Sequence, residues 1–233
     1  MKKTIHSFTS VWKEHLAGTL FSFFFVLSFI ELLIASKYCK HYIGVFASRG
    51  GLSLADPLLA LFAPRDFSLI IFILFHGILI TAIIALLNKP KDLAVAFQAY
   101  AMLMIFRTIT IYLIPLQAPA DMIFLSDPLA NLYMHNDGNG AVVNDLFFSG
   151  HVSSSFLFFM VTKNKLLKRM ILMCTIIIAI LIIWQKVHYT VDVVFAPLFS
   201  IMALYLSNLF AQKVFSFSPF PMEWSIRRER IEP

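Results

Sequence analysis

Continuous apolar runs of about twenty residues constrain the fold of this chain more than any other feature of its sequence. One of them, "FSLIIFILFHGILITAIIALL" (67–87), contains no Asp, Glu, Lys or Arg. An α-helix rises about 1.5 Å per residue, so a run of this length crosses the roughly 30 Å hydrocarbon core of a bilayer. Only 14% of the residues are charged, against about 25% in soluble domains. The sequence therefore predicts an all-α, polytopic integral membrane protein.

Six membrane spans are predicted from these runs, and together they form one transmembrane catalytic domain over residues 16–211. The runs are continuous and do not alternate in the way that a membrane β-barrel requires, so helices are favoured. The predicted spans are 16–34, 68–87, 93–114, 146–162, 170–184 and 191–211.

Two short segments flank the predicted domain. In residues 1–15 and just beyond, apolar residues recur at helical spacing at Ile5, Phe8, Trp12 and Leu16. This pattern is typical of a short amphipathic helix that lies on the membrane surface. Residues 212–233 are predicted to form a cytoplasmic C-terminal tail.

The distribution of basic residues predicts the orientation of the spans. Residues 115–145 contain no Lys or Arg, so this loop is predicted to lie outside and both termini in the cytoplasm. Lys37, Lys40, Arg49 and Arg65 conflict with this orientation, because they fall in the first outer loop. The net charge of +6 follows from the topology and gives no support for a nucleic-acid partner. The residues predicted to be cytoplasmic are Lys2, Lys3, Lys13, Lys89, Lys91, Lys163, Lys165, Lys168, Arg169, Lys213, Arg227, Arg228 and Arg230.

Two histidines and an aspartate lie at the outer ends of predicted spans. His151 follows "SG" at the start of the fourth span, and His188 and Asp192 belong to the outer turn before the sixth. If that span begins a turn early, His188 and Asp192 share a helix face and the carboxylate can accept one imidazole proton. The other nitrogen of His188 is then available as a nucleophile or base. His151 is predicted to donate a proton to a leaving oxygen.

An anion site is predicted beside these histidines. Arg107 lies about seven residues below the outer end of the third span and offers a planar, permanently charged fork for phosphate. Its alternatives are snorkelling to the interface or pairing with a carboxylate such as Glu31. Ser149 and Gly150, at a helix N-terminus, offer a hydroxyl, backbone N–H groups and close approach.

Two other polar residues, Asp145 and Lys186, each allow a functional and a structural interpretation. Asp145 is predicted to hydrogen-bond His151 or to bind an acceptor hydroxyl, or else it is a plain loop carboxylate. Lys186 attracts phosphate or anchors the chain at the interface, and His76 is read as a packing residue. Because Cys39 and Cys174 are predicted at different depths, no disulfide and no metal site are expected. No organic cofactor is expected either.

The segments that hold these residues resemble the signature motifs of the sphingomyelin synthase family, within the superfamily of type-2 phosphatidic acid phosphatases. "NDLFFSGHV" (144–152) and "HYTVDVV" (188–194) resemble the last two motifs. "RTITIYLIPLQAP" (107–119) is similar to the arginine motif, and "LADPLLALFAPRDF" (54–67) to the proline-rich first motif. The chain departs from the family in the two residues before Asp145, which are Val143 and Asn144, and at Val152, where a threonine is usual.

The resemblance implies a mechanism and a topology. In that family the second histidine attacks phosphorus, the aspartate orients it and the first histidine protonates the departing group; these roles fall on His188, Asp192 and His151. The family has six spans with cytoplasmic termini. No Arg-Pro pair occurs in this chain, which favours the sphingomyelin-synthase-like branch over the phosphatidic acid phosphatase branch.

The predicted function is therefore that of a multi-pass membrane phosphotransferase with its active site on the extracytoplasmic side. It would move a phospho-headgroup from a phospholipid donor to an acceptor lipid alcohol through a phosphohistidine. One alternative is a lipid phosphate phosphatase or phospholipase C-type hydrolase, with water as the acceptor. Another is a small membrane transporter or channel, which would carry polar residues across the whole membrane depth. The headgroup, the acceptor and the oligomeric state stay open.

Overall fold

A computed structural model describes residues 19–126 and 144–215 of the chain. Within these residues no strand is present, and a single β-bridge joins Leu52 to Leu116. The all-α prediction is thus confirmed for this part of the chain. The predicted surface helix at 1–15, most of the tail and part of the outer loop lie outside the described residues. The helices are α1 (Thr19–Ile34), α2 (Lys40–Ala47), α3 (Pro57–Ala60), α4 (Ser68–Leu86), α5 (Pro90–Leu113), α6 (Gly150–Val161), α7 (Lys165–Trp184) and α8 (Thr190–Phe215).

Four of the described helices are long and apolar enough to cross a membrane. They are α4, α5, α7 and Thr190–Lys213 of α8, and they overlap the second, third, fifth and sixth predicted spans. The predicted fourth span is the shorter apolar helix α6, of 12 residues. An integral membrane protein is therefore supported, while the count of six spans and the location of the termini stay predictions.

The first helix extends past residue 34, where its predicted span ends. A π-helical turn (Ala35–Cys39) joins α1 to α2 with helical backbone on both sides. Ala35, Cys39, Ile43 and Ala47 are buried and recur every four residues, so one face of the helix continues to pack beyond the charged residues. Consequently Lys37 and Lys40 lie on a helix rather than in a loop.

Helix α5 lies at the centre of the bundle. It packs against α1, α2, α6 and α8, and its alanines 94, 96, 99 and 101 are buried. Small side chains let helices approach closely, which is how helices associate in membranes where lipid is as apolar as leucine. Large apolar side chains on the outer helices, such as Ile73, Ile84 and Met173, are exposed, as expected of surfaces that face lipid.

The connections that follow α2, α5 and α7 meet at one end of the bundle, which we call the site end. Leu52 N donates to Pro115 O at 3.0 Å, which ties the segment after α2 to the segment after α5. The fully buried Gln185 accepts from Phe67 N at 2.9 Å and donates to Ser68 Oγ at 3.0 Å, which ties α7 to α4. At the opposite end Lys163 Nζ lies 2.6 Å from Asp92 Oδ2.

Candidate active site

His188 and Asp192 form a buried pair at the site end. His188 Nδ1 lies 3.3 Å from Asp192 Oδ2, and Tyr189 N donates to the same oxygen at 3.0 Å. His188 is 3% exposed and Asp192 is 0% exposed. Helix α8 begins at Thr190, so His188 lies in the predicted outer turn, and this turn, without an early start of the helix, brings the two side chains together. A carboxylate that accepts the Nδ1 proton leaves the lone pair on Nε2.

His151 is the second residue of α6 and packs against aromatic side chains of α4. Its ring meets Phe72 and Phe75 edge-on, with centroids 5.4 and 4.9 Å away. It interacts electrostatically with the side chains of His188, Arg107, Asp145 and His76. The structure therefore brings the two predicted histidines into one region.

The guanidinium of Arg107 is bound to the segment that precedes α6. Nη1 donates to Phe148 O at 2.5 Å and Nη2 donates to Asp145 O at 3.1 Å. Nη2 also lies 2.6 Å from Asp145 Oδ1. The partner of Arg107 is thus Asp145 and not Glu31. The fork binds the segment 145–148 in the structure, and its predicted role in binding phosphate stays a prediction. Asp145 is an ion-pair partner of Arg107, and no hydrogen bond joins it to His151 in the described residues.

Gly150 allows this arginine to lie against the start of α6. A Cβ atom on Gly150 would come 2.5 Å from Arg107 Nη1 and 2.9 Å from Cζ, well inside van der Waals contact. We predicted a close approach to an anion at this glycine, and the structure shows a close approach to the arginine.

Ser149 connects the two histidine segments. Its backbone N–H donates to Asp192 O at 3.1 Å, so this group of the predicted anion site is already engaged. Its hydroxyl is fully buried and has no hydrogen-bond partner among the described residues. Phe148, next to it, stacks on Phe199 of α8 with centroids 4.1 Å apart.

A cavity of about 500 Å³, the site cavity, opens beside Arg107 and His151 between α2, α4, α5 and α6, and the buried His188 and Asp192 are not part of its lining. Its charged lining comprises Lys40, Arg107 and Asp145, with His76 and His151 beside them. None of the described carboxylates forms an ion pair with Lys40. Because Asp145 offsets Arg107, Lys40 leaves the cavity with a net positive charge, which favours an anion.

Hydrogen bonds between Asp56 and Thr190 hold the segment that carries His188 in place. Asp56 Oδ2 accepts from Thr190 N at 2.7 Å, and Oδ1 accepts from Thr190 Oγ1 at 3.1 Å. Burial raises the pKa of Asp56, but the hydrogen bonds from Thr190, Leu58 and Leu59 together outweigh burial and hold that pKa below its ordinary value. Tyr189 OH donates to Gln117 O at 2.9 Å. The first motif-like segment therefore positions the turn that carries His188.

Lys186 is not part of the lining of the site cavity. Its Nζ lies 3.3 Å from Asp121 Oδ2 in an ion pair. His76 lines the site cavity, with Nδ1 2.9 Å from Phe72 O. Cys39 and Cys174 are free thiols. No group of three or more His, Cys, Asp or Glu side chains that could hold a metal ion occurs in residues 19–126 and 144–215.

Residues 143–209 match the family model described as PAP2 superfamily C-terminal. This match supports the type-2 phosphatidic acid phosphatase superfamily. It does not support the narrower sphingomyelin synthase-like family. Members of the PAP2 superfamily are phosphatases or phosphotransferases, so the match also supports an enzyme with activity of this general type. Comparison with curated proteins gives no match.

The PAP2-matching segment contains Asp145, Ser149, Gly150, His151, His188 and Asp192. The residues outside it that complete the site are Arg107, Lys40 and Asp56. Sequence reasoning identified Arg107 from its depth in an apolar run. It missed Lys40, whose only signal was its conflict with the charge pattern. It also missed Phe72 and Phe75, which nothing distinguishes among 25 phenylalanines.

Proposed function

We propose that the protein is a membrane lipid phosphotransferase that moves a phospho-headgroup from a phospholipid to an acceptor lipid alcohol, as sphingomyelin synthases do. The observation that carries the proposal is the contact of His188 Nδ1 with the buried carboxylate of Asp192. This contact holds the imidazole in one tautomer with Nε2 free to attack. The PAP2 match supports the general chemistry.

In the first half-reaction, His188 Nε2 attacks the phosphorus atom of the donor and a P–N bond forms. The P–O bond to the diacylglycerol breaks, and His151 gives its proton to the departing alkoxide oxygen. Asp192 stabilises the imidazolium character that His188 gains. In the second half-reaction, His151 accepts the proton of the acceptor hydroxyl, whose oxygen attacks phosphorus while the P–N bond breaks.

The phosphate oxygens would be held by the positive lining of the site cavity. Lys40 and Arg107 supply the cations, and the N-terminus of α6, where Gly150 and His151 line the cavity, adds the positive end of a helix dipole. Asp145 orients Arg107, Gly150 lets α6 lie close to it, and Ser149 ties the start of α6 to Asp192. No step of this scheme needs a metal ion or an organic cofactor.

The same site would act as a hydrolase if water took the place of the acceptor alcohol. The PAP2 match favours this second candidate as much as the first, because the superfamily includes phosphatases. The resemblance of "HYTVDVV" (188–194) to sphingomyelin synthases favours transfer.

The two candidates differ in their products. Purified protein in vesicles is given phosphatidylcholine, phosphatidylethanolamine or phosphatidic acid, with and without ceramide or diacylglycerol, and products are identified by mass spectrometry. New headgroup-bearing lipids that need the acceptor support transfer. Diacylglycerol formed without an acceptor supports hydrolysis. If neither arises, or if His188→Ala gives the same products, the proposal is wrong.

We further propose that the site end faces away from the cytoplasm, because the basic residues around Lys89 and Lys165 lie at the opposite end. Leu52, 72% exposed, and Leu166, 70% exposed, mark the two ends. Single cysteines at these positions, in a chain whose Cys39 and Cys174 are replaced, should be labelled from opposite sides of sealed vesicles. Labelling of Leu52→Cys from the cytoplasmic side would reverse the orientation.

A further inference from the structure

A second cavity lies below the site cavity, further from the site end. It measures about 160 Å³, and we call it the inner cavity. Its lining includes Leu32, Leu79, Ile83, Phe97, Tyr100 and Phe158. These residues come from α1, α4, α5 and α6. Because α1 continues through the π-helical turn into α2, we call the three together the first helix, and the same four helices line the site cavity. Tyr100 lines both cavities.

The two cavities differ in chemistry. The site cavity has Lys40, Arg107 and His151 on its walls, while the inner cavity is lined by aliphatic and aromatic side chains. The ring of Tyr100 stacks on Phe158, with centroids 6.2 Å apart, at the boundary. Polar and apolar walls therefore follow one another from the site cavity to the inner cavity, in the order of a lipid headgroup and its chain. The two cavities share Tyr100, and we call them together the cleft.

The inner cavity begins at Tyr100, which lies seven residues from Arg107 along α5, or roughly 10 Å. Arg107 at the top and Leu93 at the bottom lie 14 residues apart on α5, which is roughly 21 Å at about 1.5 Å per residue. Half of a hydrocarbon core of about 30 Å is about 15 Å. An acyl chain whose phosphate lies beside Arg107 would therefore end within the inner cavity.

The first helix and α4, which border the cleft, do not pack extensively on each other. The first helix packs mainly on α5, and α4 packs on α6 and α7. Leu32 and Ile83, which face the cleft from these two borders, are only partly buried.

We propose that the inner cavity is an acyl-chain subsite for the lipid whose phosphate occupies the site cavity, and that it selects lipids by chain length. The proposal rests on the proposed function for its headgroup chemistry. The subsite discriminates by steric fit, because an acyl chain gains little from leaving lipid for an equally apolar groove. A chain longer than the cleft cannot enter fully, whereas a short chain does not reach the inner cavity.

The activity test compares a blocked subsite with a matched surface change. Ile83→Trp fills the inner cavity, whereas Ile84→Trp changes the neighbouring side chain, which is 60% exposed on the lipid face. Each variant is assayed with a long-chain and a short-chain donor that share one headgroup. We expect Ile83→Trp to lower kcat/KM by about tenfold or more for the long-chain donor and to leave the short-chain donor unchanged. Ile84→Trp should affect neither. Equal losses for both donors, or no loss with Ile83→Trp, would overturn the proposal.

A binding test needs no turnover and no tryptophan variant. The protein carrying His188→Ala is mixed with a phospholipid whose acyl chain carries a diazirine near its terminal methyl. After illumination, cross-linked peptides are mapped by mass spectrometry. Enrichment at Leu79, Ile83 and Phe97 over Ile80 and Ile84 supports the subsite. Labelling that is spread evenly over the lipid-facing residues would refute the acyl-chain subsite, even if phosphotransfer by the unsubstituted protein is confirmed. Enrichment in this variant, together with no phosphotransfer by the unsubstituted protein, would support the subsite and refute the proposed function.

Discussion

Replacing Gly150 with alanine should displace Arg107 and slow the enzyme without removing any polar group. The new Cβ would come 2.5 Å from Arg107 Nη1 and 2.9 Å from Cζ. An ordinary contact is about 3.5 Å, so the guanidinium must move by about 1 Å. It cannot move freely, because Nη1 binds Phe148 O and Nη2 lies against Asp145.

The expected loss follows from these contacts. Misplacement by about 1 Å costs about 10²-fold in rate, so kcat/KM for a phospholipid donor should fall by about that factor. A hydrogen bond to a charged group contributes about 1.5–3 kcal/mol, so thermal stability in detergent should also fall. Gly77→Ala is the matched control, because a Cβ there meets nothing within 4 Å. It should leave activity unchanged.

Either of two results would refute this reasoning. If Gly150→Ala keeps near-normal kcat/KM, the position of Arg107 does not matter for catalysis. If Gly77→Ala loses as much activity as Gly150→Ala, the loss reflects glycine in a membrane helix and not the contact with the guanidinium.

Three further predictions concern the charged groups. His188→Ala should abolish an acid-labile phosphoenzyme, whereas His151→Ala should fail on natural lipids but still cleave an activated aryl phosphodiester, which needs little protonation; label mapped to His151 would contradict these roles. Arg107→Lys keeps the charge but cannot bridge Phe148 O and Asp145, so activity should fall more than about tenfold, and near-normal turnover would show that the fork is dispensable. Lys40→Gln should raise KM about tenfold, as expected for loss of one charged hydrogen bond, with little change in kcat; Lys37→Gln, on the same helix, should not, and equal effects would remove Lys40 from the site.

The positions of the two histidine segments could be predicted from the sequence because each one interrupts an apolar run. Once the runs are helices, their ends must meet at the ends of the bundle. The contacts could not be predicted in this way. A charged residue within an apolar run must find partners, but the sequence does not say which oxygens Arg107 will bind. Only the fold brings Phe148 O and Asp145 to it.

Helix boundaries differ from the predicted spans where charged residues lie inside a helix. The fifth span is predicted to begin at residue 170, yet α7 begins at Lys165. Asn164 caps it, with Oδ1 accepting from Leu167 N at 3.1 Å. A span predicted from hydropathy ends where lysines begin, whereas lysine is a good helix former and an α-helix can include it. Because Lys37 and Lys40 lower the hydropathy after residue 34, the continuation of the first helix to Ala47 and the position of Lys40 were not predicted either.

The environments of the two histidines support different chemical roles. His188 is buried and its Nδ1 contacts Asp192, which suits a nucleophile that must keep one tautomer and one direction of attack. His151 forms no hydrogen bond with any described residue, and its ring contacts are the edges of Phe72 and Phe75. Such a ring has both nitrogens free to give a proton to one oxygen and later to take a proton from another.

The bond from Ser149 N to Asp192 O links the two segments, so the distance between the histidines is set by backbone contacts on both sides. A transfer that proceeds through one phosphohistidine needs that distance to stay the same in both half-reactions. The donor alkoxide and the acceptor hydroxyl must then pass through the same position beside His151. Donor and acceptor therefore cannot occupy it together, which predicts ping-pong kinetics, and an intersecting pattern in initial-rate plots would contradict the shared position.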